Sequence, residues 1–268
     1  MDYTVVPKIT INSERCIKYG AFLYDPQMDA LFHSSPWPFP VQIGIYNNLK
    51  YCEVTPGFLR LPFILKGWIN LDILLREIEL LNYVRENKIL MHGSCVDQTL
   101  IVGFPNSGKT YQTYKSVAEG GILVSEEYTL IDHNGIASPY KPVMRTCFSK
   151  RTIDDCGIKI NTLEKFQLLL NTIRATLMPF MFESVIWKEI PASGTTAKIK
   201  KIVYGSTGKE IKDWKTFAIL CENEFPFMSS EFLQAYAVAT GLDLLSLQAR
   251  QRDLIRVFVE SVYNPSKS

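Results

Sequence analysis

The residues whose types and spacing could do chemistry together cluster near the middle of this chain. Gly103-Phe104-Pro105-Asn106-Ser107-Gly108-Lys109-Thr110 satisfies the pattern G-x-x-x-x-G-K-[ST]. Glycines in this pattern let the backbone curl until successive N–H groups face an anion. The lysine can reach the β- and γ-phosphates of a nucleotide as a point charge, and the hydroxyl after it suits Mg²⁺. His92 precedes the loop, and the acidic pair Glu126-Glu127 follows it. Two adjacent carboxylates shortly after a phosphate loop can supply one metal ligand and one base for phosphoryl transfer. The expected site therefore binds a nucleotide through residues 103–110, with Mg²⁺ beside its phosphates.

These residues need a particular frame. Ile89–Val96 and Thr99–Val102 are apolar runs separated only by Asp97-Gln98. A link that short predicts an antiparallel hairpin, because a parallel partner needs a long crossover. The second arm feeds directly into the loop. Residues 111–119 then predict a short helix ended by Gly120-Gly121, where a left-handed cap costs little. Residues 122–125 predict a strand closed by Glu126-Glu127, 128–132 continue extended, and Asn134-Gly135 is a two-residue turn signal. Hairpins plus one helix, without serial βαβ units, predict an α/β fold of the α+β type around a mixed sheet. Neighbouring strand residues point to opposite faces, so Glu126 and Glu127 reach one site only if the strand ends or bulges there.

Elsewhere the pattern is structural. Residues 3–11, 20–24, 30–33 and 41–46 read as strands, punctuated by Asp25-Pro26, Ser35-Pro36-Trp37-Pro38 and Asn47-Asn48. Leu71, Leu74, Leu75, Ile78, Leu81 and Val84 recur at helical spacing behind a cap at Asn70. Residues 141–159 lack periodicity and read as a loop; their Arg145, Lys150 and Arg151 could clamp phosphates or simply be solvated. Residues 162–178 predict a helix, 185–190 and 197–204 strands, and 231–262 a helix interrupted at Gly241. Arg250, Arg252 and Arg256 decorate its surface. Gly205-Ser206-Thr207-Gly208-Lys209 imitates a phosphate loop, but its first glycine stands too close to the second, and a hairpin turn is the expected role. The division expected is a β-rich region over 1–69 and a nucleotide-binding domain over 70–268.

Composition narrows the function classes. A net charge of +2 over 268 residues is too small for a nucleic-acid-binding surface. No run approaches the length needed to span a bilayer, and the N-terminus lacks the basic-then-apolar order of a signal peptide. The six cysteines form no C-x-x-C pair or zinc spacing. Reduced thiols, a cytoplasmic location and no membrane partner are expected.

His92-Gly93, the hairpin, the phosphate loop, the short helix and Gly121-Ile122-Leu123-Val124-Ser125-Glu126-Glu127 together resemble the catalytic core of the HPr kinase/phosphorylase family. That family shares its nucleotide-binding fold with ATP-dependent phosphoenolpyruvate carboxykinases. The resemblance covers residues 91–132. It implies a P-loop core behind a small β-rich N-terminal part, and an ATP-dependent kinase domain over 70–268. In this reading Gly103 to Thr110 hold the triphosphate, with Thr110 also on Mg²⁺, and Lys109 is catalytic. His92 lies beside the reacting phosphoryl group, Glu126 takes the proton of the acceptor hydroxyl, and Glu127 binds the metal. The acceptor implied is a serine of a peptide or small protein, and a homo-oligomer is implied as well. The family's glycine-rich dephosphorylation signature is not found here, so kinase rather than phosphorylase activity is expected.

This chain has glutamates where the family has aspartates, each longer by one methylene, which displaces a carboxylate by about 1.5 Å. The alternatives are therefore a non-catalytic ATP-binding regulatory or scaffold module, or a small-molecule kinase of the same fold. For single residues, His92 could be a core histidine and Glu126-Glu127 two solvated charges at a turn.

Overall fold

β-branched and aromatic residues in short alternating runs form strands because they fit a pleated, half-buried surface. The computed structural model describes residues 3–12, 14–19, 22–35, 41–46, 51–56, 71–141, 143–177, 184–191, 193–224 and 231–264. Its first strands are β1 (Tyr3–Val5), β2 (Ile17–Tyr19), β3 (Phe22–Asp25), β4 (Ala30–Ser35), β5 (Val41–Tyr46) and β6 (Tyr51–Val54). Helix α1 (Leu71–Arg85) leads to the hairpin β7 (Ile89–Val96) and β8 (Thr99–Val102), then α2 (Lys109–Ala118). β9 (Leu123–Ser125), β10 (Tyr128–Ile131), β11 (Ile136–Pro139) and β12 (Val143–Ser149) follow, then α3 (Lys150–Cys156) and α4 (Thr162–Leu177). The chain continues through β13 (Val185–Pro191), β14 (Ala197–Lys198), β15 (Lys201–Tyr204) and β16 (Lys209–Glu210) to α5 (Trp214–Glu224), α6 (Glu231–Thr240) and α7 (Leu244–Tyr263). The expected punctuation at 36–38 and 47–48, the cap at Asn70, Gly20 and Met178 lie outside the described residues.

Two compact units result: Met1–Glu86 with Phe225–Arg250, and Asn87–Glu224 with Gln251–Ser268. The sequence expectation divided the chain between residues 69 and 70. The structure instead groups α1 and α6 with the first strands, because Phe232 of α6 meets Phe22 of β3 edge-on at 5.8 Å and α6 packs on α1. The first unit is built on one sheet of order β1-β6-β5-β4-β3-β2, antiparallel except at β1–β6. Residues 3–11 form a strand only to Val5. Beyond it the buried Gln42 amide takes the place of a ladder partner, accepting from Ile9 N at 3.1 Å and donating to Ile9 O at 3.1 Å.

The second unit is a mixed sheet of order β14-β11-β10-β7-β8-β15-β16, with β9 also on β7. β7 is buried along nearly its whole length, as a near-continuous apolar run covered on both faces must be. One face packs Met91, Leu100 and Ile202 against Phe217 of α5 and Phe258 of α7; the other packs Val96 and Ile101 against Val117 of α2. The expected strand 197–204 is split. Ile199 N donates to Gly135 O and Lys200 N to Gln98 O, so the chain changes neighbours from β11 to β8 between β14 and β15. The expected turn at 205–209 is the tight connection between β15 and β16. All six cysteines are free, and burial pushes the Cys95 and Cys221 thiols up to about 12. Among the described residues no helix is long and apolar enough to cross a membrane.

The expectation that 141–159 is a loop is corrected. β12 pairs with β13 over its full length, and its odd and even positions face opposite sides. One side buries Phe148 and Ile186 with Ile153, Leu168 and Tyr114 in a separate small core. The scattered charges of this segment masked that alternation. Ser149 caps α3, accepting from Thr152 N at 3.2 Å, and Gly157 ends the helix in the left-handed region at φ 64°. Ser149→Ala is expected to lower stability by about 1 kcal/mol. Urea unfolding checks this, and an unchanged midpoint would show that the cap contributes nothing.

Candidate functional site

The loop of residues 103–110 takes its shape from two left-handed positions. Asn106 has φ 62° and Gly108 φ 83°, with Ser107 between them. Left-handed residues next to one another's peptides gather N–H groups on one side, the arrangement that favours anions. α2 begins immediately afterwards at Lys109, and its N-cap, Gly108, has no side chain with which to cap it. The positive end of the helix thus remains open to a negative ligand. Lys109 folds over the loop, its Nζ donating to Gly103 O at 2.8 Å and Phe104 O at 3.1 Å.

The carboxylate pair solves the problem that alternation poses. β9 and β10 run antiparallel along the same side of β7, pairing Ser125 with Cys95 and Tyr128 with His92. Between them Tyr128 N donates to Glu126 O at 2.6 Å, and Glu127 has φ 61°. This is a γ-turn of the rare positive-φ kind. It breaks the ladder without losing register, and two hydroxyls repair the break. Cys95 N donates to Ser125 Oγ at 3.1 Å, Thr129 Oγ1 donates to Gly93 O at 2.7 Å, and the two hydroxyls bond each other at 2.6 Å. The turn brings both glutamates to one cavity.

That cavity, of about 430 Å³, lies within the second unit. It is lined by His92, Lys109, Thr110, Glu126 and Glu127, and by Pro105, Asn106 and Gly108 of the loop. The structure therefore brings these predicted site residues together. Three loop residues do not line it: Gly103 enters the loop, Phe104 is exposed, and Ser107 turns the other way. His92 is held by stacking on Tyr128, ring centroids 5.0 Å apart. Sequence reasoning missed the opposite wall, which comes from Ser94 and Tyr111 and from Thr146, Cys147, Ser149, Thr152, Val185 and Trp187. Much of that wall is β12–β13 and α3, the segment whose alternation and Ser149 cap were the available signal. Lys150 and Arg151 are exposed and not among the described lining residues; Arg151 lies over the Tyr111 ring at 4.9 Å and bonds Asp155. The side chain of Arg145 lies outside the description.

Electrostatics single out Glu126. It is only 4% exposed, and its Oε2 makes no hydrogen bond. Burial first, and then the neighbouring Glu127 charge, raise its carboxyl to about 8; the Ser94 hydroxyl and the Lys109 charge act in the opposite direction. A buried carboxyl lacking a full set of partners is costly unless something else occupies the cavity or the group takes up a proton. Ser94 is tied to the helix of the phosphate loop. Its hydroxyl bonds Thr113 Oγ1 at 2.7 Å, and Thr113 donates to Lys109 O at 2.9 Å.

The residues present fit a magnesium nucleotide. An open helix end, a lysine and paired left-handed residues suit the phosphates, and Glu126 lines the same cavity. Among the described residues no group of three or more His, Cys, Asp or Glu could hold a metal. Thr110 and Glu127 would instead share Mg²⁺ with phosphate oxygens and water, the usual arrangement for this ion.

Between about pH 4.5 and 8 Glu126 is protonated in the folded chain and ionised in the unfolded one. The folded state then binds more protons, so stability falls as pH rises through this window and levels off above it. Glu126→Gln is expected to remove that slope and to stabilise the chain at pH 9 by an amount on the order of a few kcal/mol. Urea unfolding at pH 5 and pH 9 measures this; equal slopes in both proteins would contradict it.

No family model matches the chain, and no curated protein or solved structure matches it at a significant level.

Proposed function

We propose that this chain is an ATP-dependent kinase, resembling HPr kinase, that transfers the γ-phosphate to a hydroxyl, with serine of a peptide or small protein as the acceptor. The observation that supports this reading most is that His92, Lys109, Thr110, Glu126 and Glu127, distant in sequence, line one cavity. Bound Mg-ATP would supply the transferable phosphoryl group and the neutralising charge of the metal. The loop amides and the start of α2 hold phosphate oxygens. Lys109, now bonded to Gly103 O and Phe104 O, exchanges those carbonyls for charged oxygens, which make stronger hydrogen bonds. Glu127 and Thr110 hold the metal, and His92 stays beside the cavity through its stacking on Tyr128.

Glu126 takes the proton of the acceptor hydroxyl. Its carboxyl, raised to about 8, is poised near working pH, where a base combines a useful ionised fraction with proton affinity. The γ-turn brings both glutamate side chains to the cavity. Val185, Trp187 and Cys147 line the same cavity, where the acceptor would enter.

A second reading is a non-catalytic nucleotide-binding module, favoured by the same raised carboxyl: at pH 7 Glu126 is mostly neutral, and only its ionised minority can take up a proton. Incubation with Mg-ATP labelled at the γ-position and serine-containing acceptors distinguishes the two. Transfer is expected, rising about tenfold per pH unit below about pH 8 and levelling off above it. Glu126→Gln should abolish transfer, and Lys109→Ala should weaken nucleotide binding by at least about tenfold. No transfer to any acceptor, together with ATP binding unchanged by Lys109→Ala, would sink the kinase reading. Tight, Lys109-dependent binding with no turnover would favour the module.

A further inference from the structure

The turn that imitates a phosphate loop has a closer relation to the real one. A Cβ added to Gly205 would sit 2.3 Å from the Ser107 carbonyl oxygen and 3.1 Å from Ser107 Cβ. A Cβ on Gly103 would sit 2.3 Å from Ser107 Oγ. Ser107 is therefore packed between the two glycines, and it is absent from the cavity lining while Asn106 and Gly108 on either side are present. In a planar trans peptide the C=O and the following N–H point in opposite directions. With the Ser107 carbonyl turned toward Gly205, the Gly108 N–H points away from Gly205, and Gly108 is among the residues that line the cavity.

We propose that Gly205 is a positioning residue for nucleotide binding: its bare Cα lets the Ser107–Gly108 peptide hold the orientation that aims the Gly108 N–H at the phosphates. The inference rests on the nucleotide-binding reading above. Gly205-Ser206-Thr207-Gly208-Lys209 is then a buttress for the phosphate loop rather than a second anion site. A Cβ at Gly205 forces the Ser107 carbonyl to move by contact with backbone, and so rotates the Ser107–Gly108 peptide.

Gly208, in the same turn, supplies the control. It has φ 64°, so a side chain there is strained, yet a Cβ would meet nothing within 4 Å. Gly205 has φ 39°, so a side chain is strained there too, and contact with the loop is what separates the two positions. Binding of a fluorescent N-methylanthraniloyl-ATP in Mg²⁺ is measured for the full chain and for Gly205→Ala and Gly208→Ala, with urea unfolding of each. Gly205→Ala is expected to raise Kd by about tenfold to a hundredfold, the effect of losing a hydrogen bond to a charged group. Gly208→Ala should leave Kd unchanged at similar stability. Equal Kd for wild type and Gly205→Ala would overturn this inference and leave nucleotide binding intact, whereas no binding by the wild type would overturn both. Should Gly205→Ala not fold, Gly103→Ala tests the same packing. It should weaken binding alone and regain it with Ser107→Ala, which removes the Oγ the new methyl would meet; absence of that rescue would overturn the inference.

Discussion

The short hydrogen bond from Tyr128 N to Glu126 O decides whether this chain has a site at all. A continuous strand along β7 would have sent Glu126 and Glu127 to opposite faces of the sheet. Turning the backbone through Glu127 at positive φ costs of order 1–3 kcal/mol for a residue other than glycine. The break also interrupts the ladder along β7. The Ser125 and Thr129 hydroxyls offset that loss by accepting and donating in its place, so that pairing resumes in register on both sides. Strain confined to Glu127 and a ladder break repaired by buried hydroxyls are what a structure looks like when side-chain placement, rather than stability, has set the local geometry.

The other half of the cavity is supported independently. The phosphate loop hangs between β8 and α2 and rests on the β15–β16 turn through Ser107. The facing wall belongs to β12–β13, which has its own small core around Phe148 and Ile186. Ser94 and Thr113 tie β7 to the start of α2 through a hydroxyl chain that ends on the Lys109 carbonyl. A buried Glu126 beside Glu127 and a Lys109 folded onto loop carbonyls put acidic and basic groups on one cavity.

Much of this frame was legible in the sequence. The hairpin Ile89–Val96 and Thr99–Val102 has the limits that its Asp97-Gln98 link and apolar runs imply, because short-range turn chemistry and burial on both faces agree there. The loop and the glutamate pair were legible as residue types. How Glu126 and Glu127 reach one cavity was not, since a γ-turn at a glutamate leaves no glycine to announce it. β12 was hidden because its partner β13 is far along the chain, so no local turn signal announces the pairing. α5 was missed although Asp213 caps it, its carboxylate accepting from Thr216 N at 3.0 Å. The boundary at residue 69 misled because α1 is completed by α6, which no local pattern could connect to it.

The central claim is that one cavity holds a triphosphate between the loop and the glutamate pair. A crystal structure of the chain with a non-hydrolysable ATP analogue and Mg²⁺ tests it most directly. The account predicts the terminal phosphates on the amides of residues 106–110 and on Lys109, with the metal between them and Glu127. The γ-phosphate should lie on the side of Glu126 and His92. A nucleotide bound elsewhere, or Glu126 and Glu127 turned away from its phosphates, would contradict it.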